Sequence, residues 1–235
     1  ATLPFDLDGA QVNFHRIESS NDFPHDILLI SGIRSEHDVM RGEETQMMGL
    51  MNLLQLSDHQ KYILILPGTH SKHLYIQDHR LMDFQTYMTG ELFHLISKHS
   101  ILKESVETAE NPFSVPELEA FKLGVRESKA NGILKSIFRV RTNQLFDKLG
   151  KNENGLYLSG LLIGAELTQL LEEEDWKPVL CSANNLNELY KLAIEELNLS
   201  DRTLIVSAET VDQATVAGQV KFFQHQALFL NNQTL

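Results

Sequence analysis

The chain reads YILILPGTHSKHLYI at residues 62–76. The apolar run at 62–67 is bounded by turn residues, which predicts a short buried strand. Two further strands are predicted at about 72–77 and 82–87. Three consecutive strands with short connections favour a small antiparallel meander, and the rest of the fold is interpreted outward from it.

The turn inside this stretch contains Gly68 and Thr69, followed by His70 and Lys72. A glycine-containing turn between two strands can direct successive backbone N–H groups at phosphate oxygens, and His70 or Lys72 could add positive charge. No GxxxxGK[ST] pattern occurs in the chain, so this is not a P-loop. Taken alone, the pattern is weak evidence for a phosphate site, and a plain hairpin turn explains it better.

Downstream of the meander, strands alternate with helices. Short apolar strands are predicted at 178–181 and 203–206, each followed by a helical pattern, which favours parallel strand pairs in a mixed α/β sheet. The segment 99–154 is interpreted as a helical insertion, and Asn154-Gly155 predicts a turn. Upstream, the apolar run ILLIS at 27–31 predicts a buried strand. By analogy, a meander followed by β-α-β-α is the layout of one lobe of the actin-like, ribonuclease H-like fold.

A second polar cluster, MRGEETQ at residues 40–46, opens a stretch with helical apolar spacing. Glu43 and Glu44 follow Gly42, and neighbouring positions on a helix point about 100° apart, so the two carboxylates cannot share one face. The helix dipole favours a carboxylate in the first turn, where it can stay ionised and act as a general base. The alternative is that both side chains only decorate the start of a surface helix.

Composition limits the classes of partner. The net charge of −12 and the pI of about 5.2 make nucleic acid an unlikely partner. The single cysteine, Cys181, excludes an internal disulfide, which suits a reducing cytoplasm. The sequence has neither a signal-peptide pattern nor an apolar run long enough for a membrane span. We therefore expect a cytoplasmic protein with neither nucleic-acid nor membrane partners.

The ten histidines raise the question of a metal site. His70 and His73 would point to opposite faces of a strand, and neither HExxH nor a Cys–His spacing appears. We expect no metal ligated by the protein alone, and a metal-dependent hydrolase is the weakest of the alternatives.

Four motifs in order carry a family resemblance. They are MRGEETQMMG, LPGTHSKHLYI, MDFQTYMTGELFHLI and LYLSGLLIGAEL. The set resembles the 2-keto-3-deoxygalactonate kinases (2-dehydro-3-deoxygalactonokinases), a family of the sugar-kinase, Hsp70 and actin superfamily. The resemblance implies an actin-like ATPase fold and transfer of the terminal phosphoryl group of ATP, with Mg²⁺, to the 6-hydroxyl of 2-dehydro-3-deoxy-D-galactonate, a step of galactonate breakdown.

Related kinases carry the catalytic carboxylate at a Gly-Asp-Gln helix start before the second phosphate strand. Gly42-Glu43 occupies that place here, so the resemblance implies Glu43 as the base, with Glu44 in reserve. It also matches Gly68, Thr69 and His70 to the second phosphate loop. The assignments that follow from the same comparison are Lys72 for phosphate, Ser182 and Asn184 in CSANNL (181–186) for the adenosine side, and Ala217 and Gly218 for a close crossing of two helices.

Guanidinium groups pair with carboxylates in a bidentate fashion. Arg41 and Arg34 are therefore the candidates for binding the carboxylate of the sugar acid. The sequence does not by itself distinguish the galactonate derivative from the gluconate derivative; only the resemblance favours galactonate. The sequence does not determine the oligomeric state, and a homo-oligomer is one of the possible states.

The resemblance also implies a division of the chain. Residues 1–56 are interpreted as a remnant of the N-terminal lobe with a linking helix, and 57–235 as the complete C-terminal lobe. The Asp-x-Gly-x-Thr-Asn strand of the superfamily does not occur here, so we expect the family's N-terminal part to lie outside this chain, which alone could be inactive. The alternative function is a truncated or degenerate kinase that binds a sugar acid or supports assembly without catalysis.

Overall fold

Strands and helices alternate to form an α/β protein with a mixed sheet, as the sequence predicts. The computed structural model describes residues 1–9, 11–57, 59–109, 112–182 and 184–232. Side chains are described for these residues except 184, 185 and 226–232.

The strands are numbered in chain order. The central strand at 62–66 is an apolar run and wholly buried, and the strand at 71–77 is almost wholly buried although it begins with three polar residues. The strands are β1 (Phe5–Asp6), β2 (Phe14–Ile17), β3 (Ile27–Ile30), β4 (Ile33–Arg34), β5 (Val39–Met40), β6 (Tyr62–Leu66), β7 (Ser71–Gln77), β8 (Arg80–Tyr87), β9 (Lys177–Leu180) and β10 (Leu204–Ile205).

Six of these strands form the main sheet, in the order β1-β8-β7-β6-β9-β10. The neighbours β6, β7 and β8 are consecutive in the chain, as the predicted meander requires. At one edge β1 pairs antiparallel with β8, with Phe5 opposite Leu81. At the other edge β10 pairs parallel with β9, with Leu204 opposite Val179. The parallel pair predicted near the end of the chain is therefore confirmed.

Two small antiparallel hairpins stand apart from the main sheet, β2 with β3 and β4 with β5. The prediction of a buried strand at 27–31 is wrong in its burial. The strand β3 is present, but its residues are half-buried or exposed, and Ile27 is 40% and Leu29 41% exposed. A two-stranded ribbon leaves most of both its faces uncovered, whereas apolarity alone had suggested a central strand.

The helices lie between and after the strands along the chain, and short 3-10 turns link some of them. They are α1 (Glu43–Leu54), α2 (Thr89–His99), α3 (Val115–Asn131), α4 (Ile133–Ser136), α5 (Arg139–Leu145), α6 (Lys151–Thr168), α7 (Asn184–Glu196) and α8 (Ala208–Asn232).

Most of the described residues in the segment 99–154 lie in helices, but the segment does not end where the sequence placed it. Its interpretation as an insertion stays a prediction. The turn predicted at Asn154-Gly155 is wrong, because both residues lie inside α6. Asn154 is buried and donates to the carbonyl oxygens of Ser105 and Val140, at 2.9 and 2.6 Å. A polar residue that signals a turn in isolation here links three segments.

The chain divides into two compact units. Unit 1 contains Ala1–Leu64, His73–Gln85 and Val206–Leu235, and unit 2 contains Ile65–Lys72 and Thr86–Ile205. The lobe boundary predicted near residue 56 stays a prediction, since compactness of the chain does not assign lobes.

In unit 1, α1 crosses α8 with their backbones in contact. A Cβ added at Gly49 would lie 1.7 Å from the Ala214 carbonyl oxygen, and one added at Gly218 would lie 1.9 Å from the Thr45 carbonyl oxygen. Only hydrogen at these positions permits the approach. The close crossing predicted for Gly218 is confirmed. The second residue of α8 at the crossing is Ala214 and not the predicted Ala217, which is half-buried.

In unit 2, α3 packs on α6 in the same manner, with Gly160 against the Phe121 carbonyl oxygen. Buried residues from α3, α5 and α6 share a core that includes Val140, Tyr157 and Leu161. Cys181, just after β9, is 2% exposed, and its backbone N–H donates to the Ile65 carbonyl oxygen at 2.9 Å. Burial raises the pKa of its thiol to about 12.

No helix in the described part of the chain is both long and apolar enough to cross a lipid bilayer.

Candidate functional site

The start of α1 brings together an arginine, a glycine with a positive φ and two carboxylates. Gly42 precedes the helix with a φ of 112°, a conformation that residues with a side chain rarely adopt. Its backbone N–H donates to Glu44 Oε2 at 2.6 Å. The backbone N–H of Arg41 donates to Glu43 Oε2 at 3.2 Å. The two carboxylates therefore hold the turn into the helix from opposite sides.

The surroundings of the two carboxylates differ, as the spacing on a helix requires. Glu44 is 2% exposed, and the Thr45 hydroxyl is 3.5 Å from its Oε1. Burial, with the nearby charge of Glu43, raises the pKa of Glu44 against the opposing effect of its hydrogen bonds. Glu43 is half-buried and has greater access to solvent.

A cavity of 440 Å³ in unit 1 opens beside this helix start. Arg41, Gly42, Glu44 and Thr45 supply its polar wall, and residues of β3 and α8, among them Phe222, supply the apolar wall. The cavity thus combines a guanidinium with a carboxylate, the groups that can orient an anion and hold a proton.

The other predicted arginine lies elsewhere in unit 1. Arg34 lines a separate cavity of 600 Å³ with Glu36, His37 and Asp83. The structure therefore does not bring Arg34 and Arg41 into one cavity, and of the two it is Arg41 that shares a cavity with Glu44.

In unit 2, the predicted phosphate turn follows β6 and is held by the start of α2. The Glu91 backbone N–H donates to the Thr69 carbonyl oxygen at 3.0 Å, and His70 Nε2 lies 2.5 Å from Glu91 Oε2. The Gly90 backbone lies directly on the turn, since a Cβ added there would be 2.7 Å from the Gly68 carbonyl oxygen. Backbone and side-chain contacts from one helix thus fix the turn.

Gly68 itself has free space around its Cα. A Cβ added there would meet no atom within 4 Å, and its φ lies outside the left-handed range. The fold alone does not require a glycine at this position. Gly68 lines a cavity of unit 2, so an added Cβ would occupy room next to a ligand.

That cavity has a volume of 210 Å³ and a largely apolar wall. Its polar contributions come from Thr89, Thr108, Ser159 and Tyr190. Its lining residues are Gly68, Thr89, Gly90, Phe93, Thr108, Ala109, Phe113, Gly155, Leu156, Ser159, Leu162, Ile163, Leu186, Leu189 and Tyr190.

The remaining predicted residues of unit 2 are less directly placed. Lys72 is 5% exposed, its Nζ donates to Thr86 Oγ1 at 2.8 Å, and it is absent from the lining of the 210 Å³ cavity. Ser182 is 2% exposed. Asn184 begins α7, but its side chain lies outside the described part. Roles for these three residues stay predictions.

Sequence reasoning missed a buried carboxylate next to this cavity. Glu166 of α6 is 3% exposed and accepts hydrogen bonds from the hydroxyls of Ser71, Thr89 and Tyr190. The signal was available: within the apolar motif LYLSGLLIGAEL, Glu166 is the one charged residue. A charge on the apolar face of a helix is costly unless it is paired.

Among the described residues, no group of three or more His, Cys, Asp or Glu side chains is placed to hold a metal ion. An ion that arrives with a phosphate ligand does not need such a group, because Mg²⁺ is usually bound through one or two carboxylates and the substrate phosphates.

Comparison with known proteins connects these features. The family model described as 2-keto-3-deoxy-galactonokinase matches residues 1–222, a range that includes every candidate residue named above.

Individual relatives agree with this match. The chain is 35% identical over 205 residues to a Rhizobium meliloti protein named as a probable 2-dehydro-3-deoxygalactonokinase, covering 84% of this chain and 64% of that protein. It is 32% identical over 197 residues to the 2-dehydro-3-deoxygalactonokinase of Escherichia coli K12, covering 81% and 63%. The chain thus spans just under two thirds of the length of these relatives.

A solved structure is similar as well. It is a crystal structure from Sinorhizobium meliloti of a protein that carries the 2-dehydro-3-deoxygalactonokinase name. The TM-score is 0.80 at 31% identity, and the match covers 95% of this chain and 71% of that one.

Proposed function

The chain belongs to the 2-keto-3-deoxy-galactonokinase family, and from that premise we propose that the protein transfers the terminal phosphoryl group of ATP to the 6-hydroxyl of 2-dehydro-3-deoxy-D-galactonate. The observation that carries the proposal is the family match over residues 1–222. Phosphoryl transfer needs positioning of two substrates, neutralisation of charge and a group that accepts the proton of the attacking hydroxyl.

The start of α1 supplies the proton acceptor in this proposal. Glu43 has solvent access and lies in the first turn, where the helix dipole favours an ionised carboxylate. We assign it the role of general base. Glu44 is buried and bonded to the Gly42 N–H, so we assign it the role of holding the turn that positions Glu43.

Arg41 is our choice for the carboxylate of the sugar acid. It is exposed, lies two residues from Glu43 and lines the same cavity as Glu44. Arg34 shares its cavity with Glu36 and Asp83, whose negative charges oppose the binding of a second anion. A bidentate guanidinium contact would hold the acid group and orient the rest of the sugar.

Unit 2 supplies the nucleotide side in this proposal. The turn at Gly68, Thr69 and His70 would receive phosphate through backbone N–H groups. The apolar cavity beside it, at 210 Å³, is smaller than the roughly 300–1,000 Å³ of pockets that enclose drug-sized ligands, so it suits one ring system of ATP, the adenine.

Three further features belong to the same proposal. Mg²⁺ would enter bound to the phosphates of ATP, where it neutralises the charge that develops during transfer. The fold would be actin-like, by analogy with the layout of three consecutive strands followed by β-α-β-α. The cytoplasm, which contains ATP, would be the site of the reaction.

The test is an ATP-coupled assay on the protein that contains this chain in full. We expect turnover with 2-dehydro-3-deoxy-D-galactonate and weaker turnover with the gluconate epimer. Turnover with neither sugar acid contradicts the proposal, and a preference for the epimer corrects its substrate. The alternative of a non-catalytic sugar-acid-binding module is not favoured, because the relatives that match most of this chain are named as kinases.

A further inference from the structure

Glu166 is a buried carboxylate in an apolar part of α6. It is 3% exposed, and its helix neighbours Ile163 and Leu167 are buried too. Removing a carboxylate from water is costly unless donors in the protein replace the water molecules. A glutamate at such a position therefore needs hydrogen-bond donors, and it restrains the groups that supply them.

Three hydroxyl groups are those donors, and they divide between its two oxygens. Ser71 Oγ donates to Oε1 at 2.6 Å. Thr89 Oγ1 donates to Oε2 at 2.5 Å, and Tyr190 OH donates to the same atom at 2.8 Å. Burial and the negative charge of Glu166 both raise the pKa of Tyr190, so its phenol keeps the proton that it donates.

The three donors come from three separate elements around the cavity of unit 2. Ser71 begins β7 directly after the turn at Gly68 to His70. Thr89 begins α2, whose next residue, Gly90, lies against the backbone of that turn. Tyr190 lies on α7, and Thr89 and Tyr190 both line the cavity. The buried carboxylate of Glu166 thus bonds to β7, which follows the turn, to the start of α2 and to α7.

We infer that Glu166 is a positioning residue for the nucleotide site: it fixes the phosphate turn, the start of α2 and α7 relative to one another without touching the ligand. The inference rests on the proposed function, because it takes the turn and the cavity as the nucleotide site. It goes beyond the family assignment in naming a residue that acts through Ser71, Thr89 and Tyr190.

A glutamine at this position separates the role of the carboxylate from that of side-chain volume. The amide has one acceptor oxygen, and its NH₂ group cannot accept from a hydroxyl. With Ser71 on one oxygen and Thr89 and Tyr190 on the other, either orientation of the amide in Glu166→Gln loses at least one hydrogen bond. Glu127→Gln is the control, since Glu127 also accepts a tyrosine hydroxyl, that of Tyr157 at 2.6 Å, and pairs with Arg139.

The first measurement is hydrogen–deuterium exchange without ligand. We expect Glu166→Gln to raise exchange about tenfold for amides in residues 66–72 and 88–92, because a hydrogen bond to a charged acceptor that restrains both segments is lost. Glu127→Gln leaves those amides unchanged. Unchanged exchange in Glu166→Gln overturns the inference, whether or not the protein proves to be a kinase.

The second measurement is calorimetry with ATP and Mg²⁺, together with steady-state kinetics. We expect about tenfold weaker nucleotide binding and a matching rise in KM for ATP in Glu166→Gln, while KM for the sugar acid stays near that of the unchanged protein. Equal loss in the Glu127→Gln control would reduce Glu166 to general stability and overturn its positioning role. Absence of nucleotide binding by the unchanged protein contradicts the proposed function instead.

Discussion

Glu43 and Glu44 are adjacent in sequence, yet their carboxylates are placed for different tasks. Glu44 bonds to the Gly42 N–H at 2.6 Å and is enclosed, whereas Glu43 is half-buried and bonds to the Arg41 N–H at 3.2 Å. A carboxylate that accepts the backbone N–H of Gly42 cannot move toward a substrate without releasing the turn. At the residue scale, the two carboxylates therefore have separate proposed roles, Glu43 as general base and Glu44 as the group that holds the turn, and each role can be tested by itself.

We expect Glu43→Gln to lower kcat by about two to four orders of magnitude, the usual contribution of general-base catalysis, while the protein stays folded. Steady-state kinetics with both substrates saturating is the measurement. Glu209→Gln serves as the control, because Glu209 is an exposed carboxylate in the first turn of α8. A near-normal kcat in Glu43→Gln would assign the role to Glu44 or to another group.

Glu44 makes a prediction about pH. Burial raises its pKa above the ordinary 4.5, so between the two values the folded protein holds a proton that the unfolded chain has released. Stability therefore falls as the pH rises through that window and stays lower above it. We expect the Tm to fall as the pH rises above about 4.5 because of this group. The fall should be smaller in Glu44→Gln, and an identical pH dependence in the two proteins would contradict the prediction.

Gly68 gives the sharpest separation of fold from function. Since a Cβ there meets no atom within 4 Å, Gly68→Ala should leave the Tm within about 2 °C of the unchanged protein. The same Cβ projects beside the proposed phosphate position, so nucleotide affinity should fall about tenfold or more. Gly150→Ala, which places a Cβ 3.5 Å from the Glu153 carboxylate, should change neither quantity. Normal nucleotide binding by Gly68→Ala would remove the turn from the proposed site.

At the scale of the elements, pairs of helices are held by backbone contact rather than by large interlocking side chains. Gly49 and Gly218 permit the crossing of α1 and α8, and Gly160 permits that of α3 and α6. Such crossings fix the helix positions closely because no flexible side chain lies between the backbones. The start of α1, with its carboxylates, is thereby tied to the last helix of the chain.

We expect Gly218→Ala to destabilise the protein by about 1–3 kcal/mol, since its Cβ would lie 1.9 Å from the Thr45 carbonyl oxygen and the helices must separate. The midpoint of urea unfolding measures this change. Thr215→Ala, at an exposed position on the same helix, should stay within about 0.5 kcal/mol of the unchanged protein. Equal stability of both variants would contradict the close crossing.

Elements were predictable where local pattern and tertiary environment agree. The strand at 62–66 is apolar and buried, and the pattern identifies it. The pattern fails at Asn154, whose turn preference is overridden by two hydrogen bonds to segments distant in sequence. It fails again in the burial of residues 27–30, because no local signal tells a ribbon from a central strand.

At the scale of the whole molecule, the sequence predicts the motifs of the candidate site. It does not predict the buried contacts that hold those motifs in place. MRGEETQ and the turn at 66–72 could be located because each chemistry is local to a few residues. Glu166 could not be assigned a role, because its donors lie 95, 77 and 24 positions away in the chain. Contacts of that range are set by the packing of complete elements, which a pass along the sequence does not contain.

The thiol of the buried Cys181 can be used to follow the opening of the fold around it. As the single cysteine of the chain, 2% exposed and with a thiol pKa of about 12, it should resist alkylation at neutral pH until the sheet around it opens. The rate of its modification by a maleimide under native conditions would therefore report the opening free energy of that region. Prompt modification of the folded protein would show that the sheet around β6 and β9, to which residue 181 is bonded, opens readily. Within this chain, the thiol of Cys181 is thus a single-site reporter of unfolding that needs no engineered label.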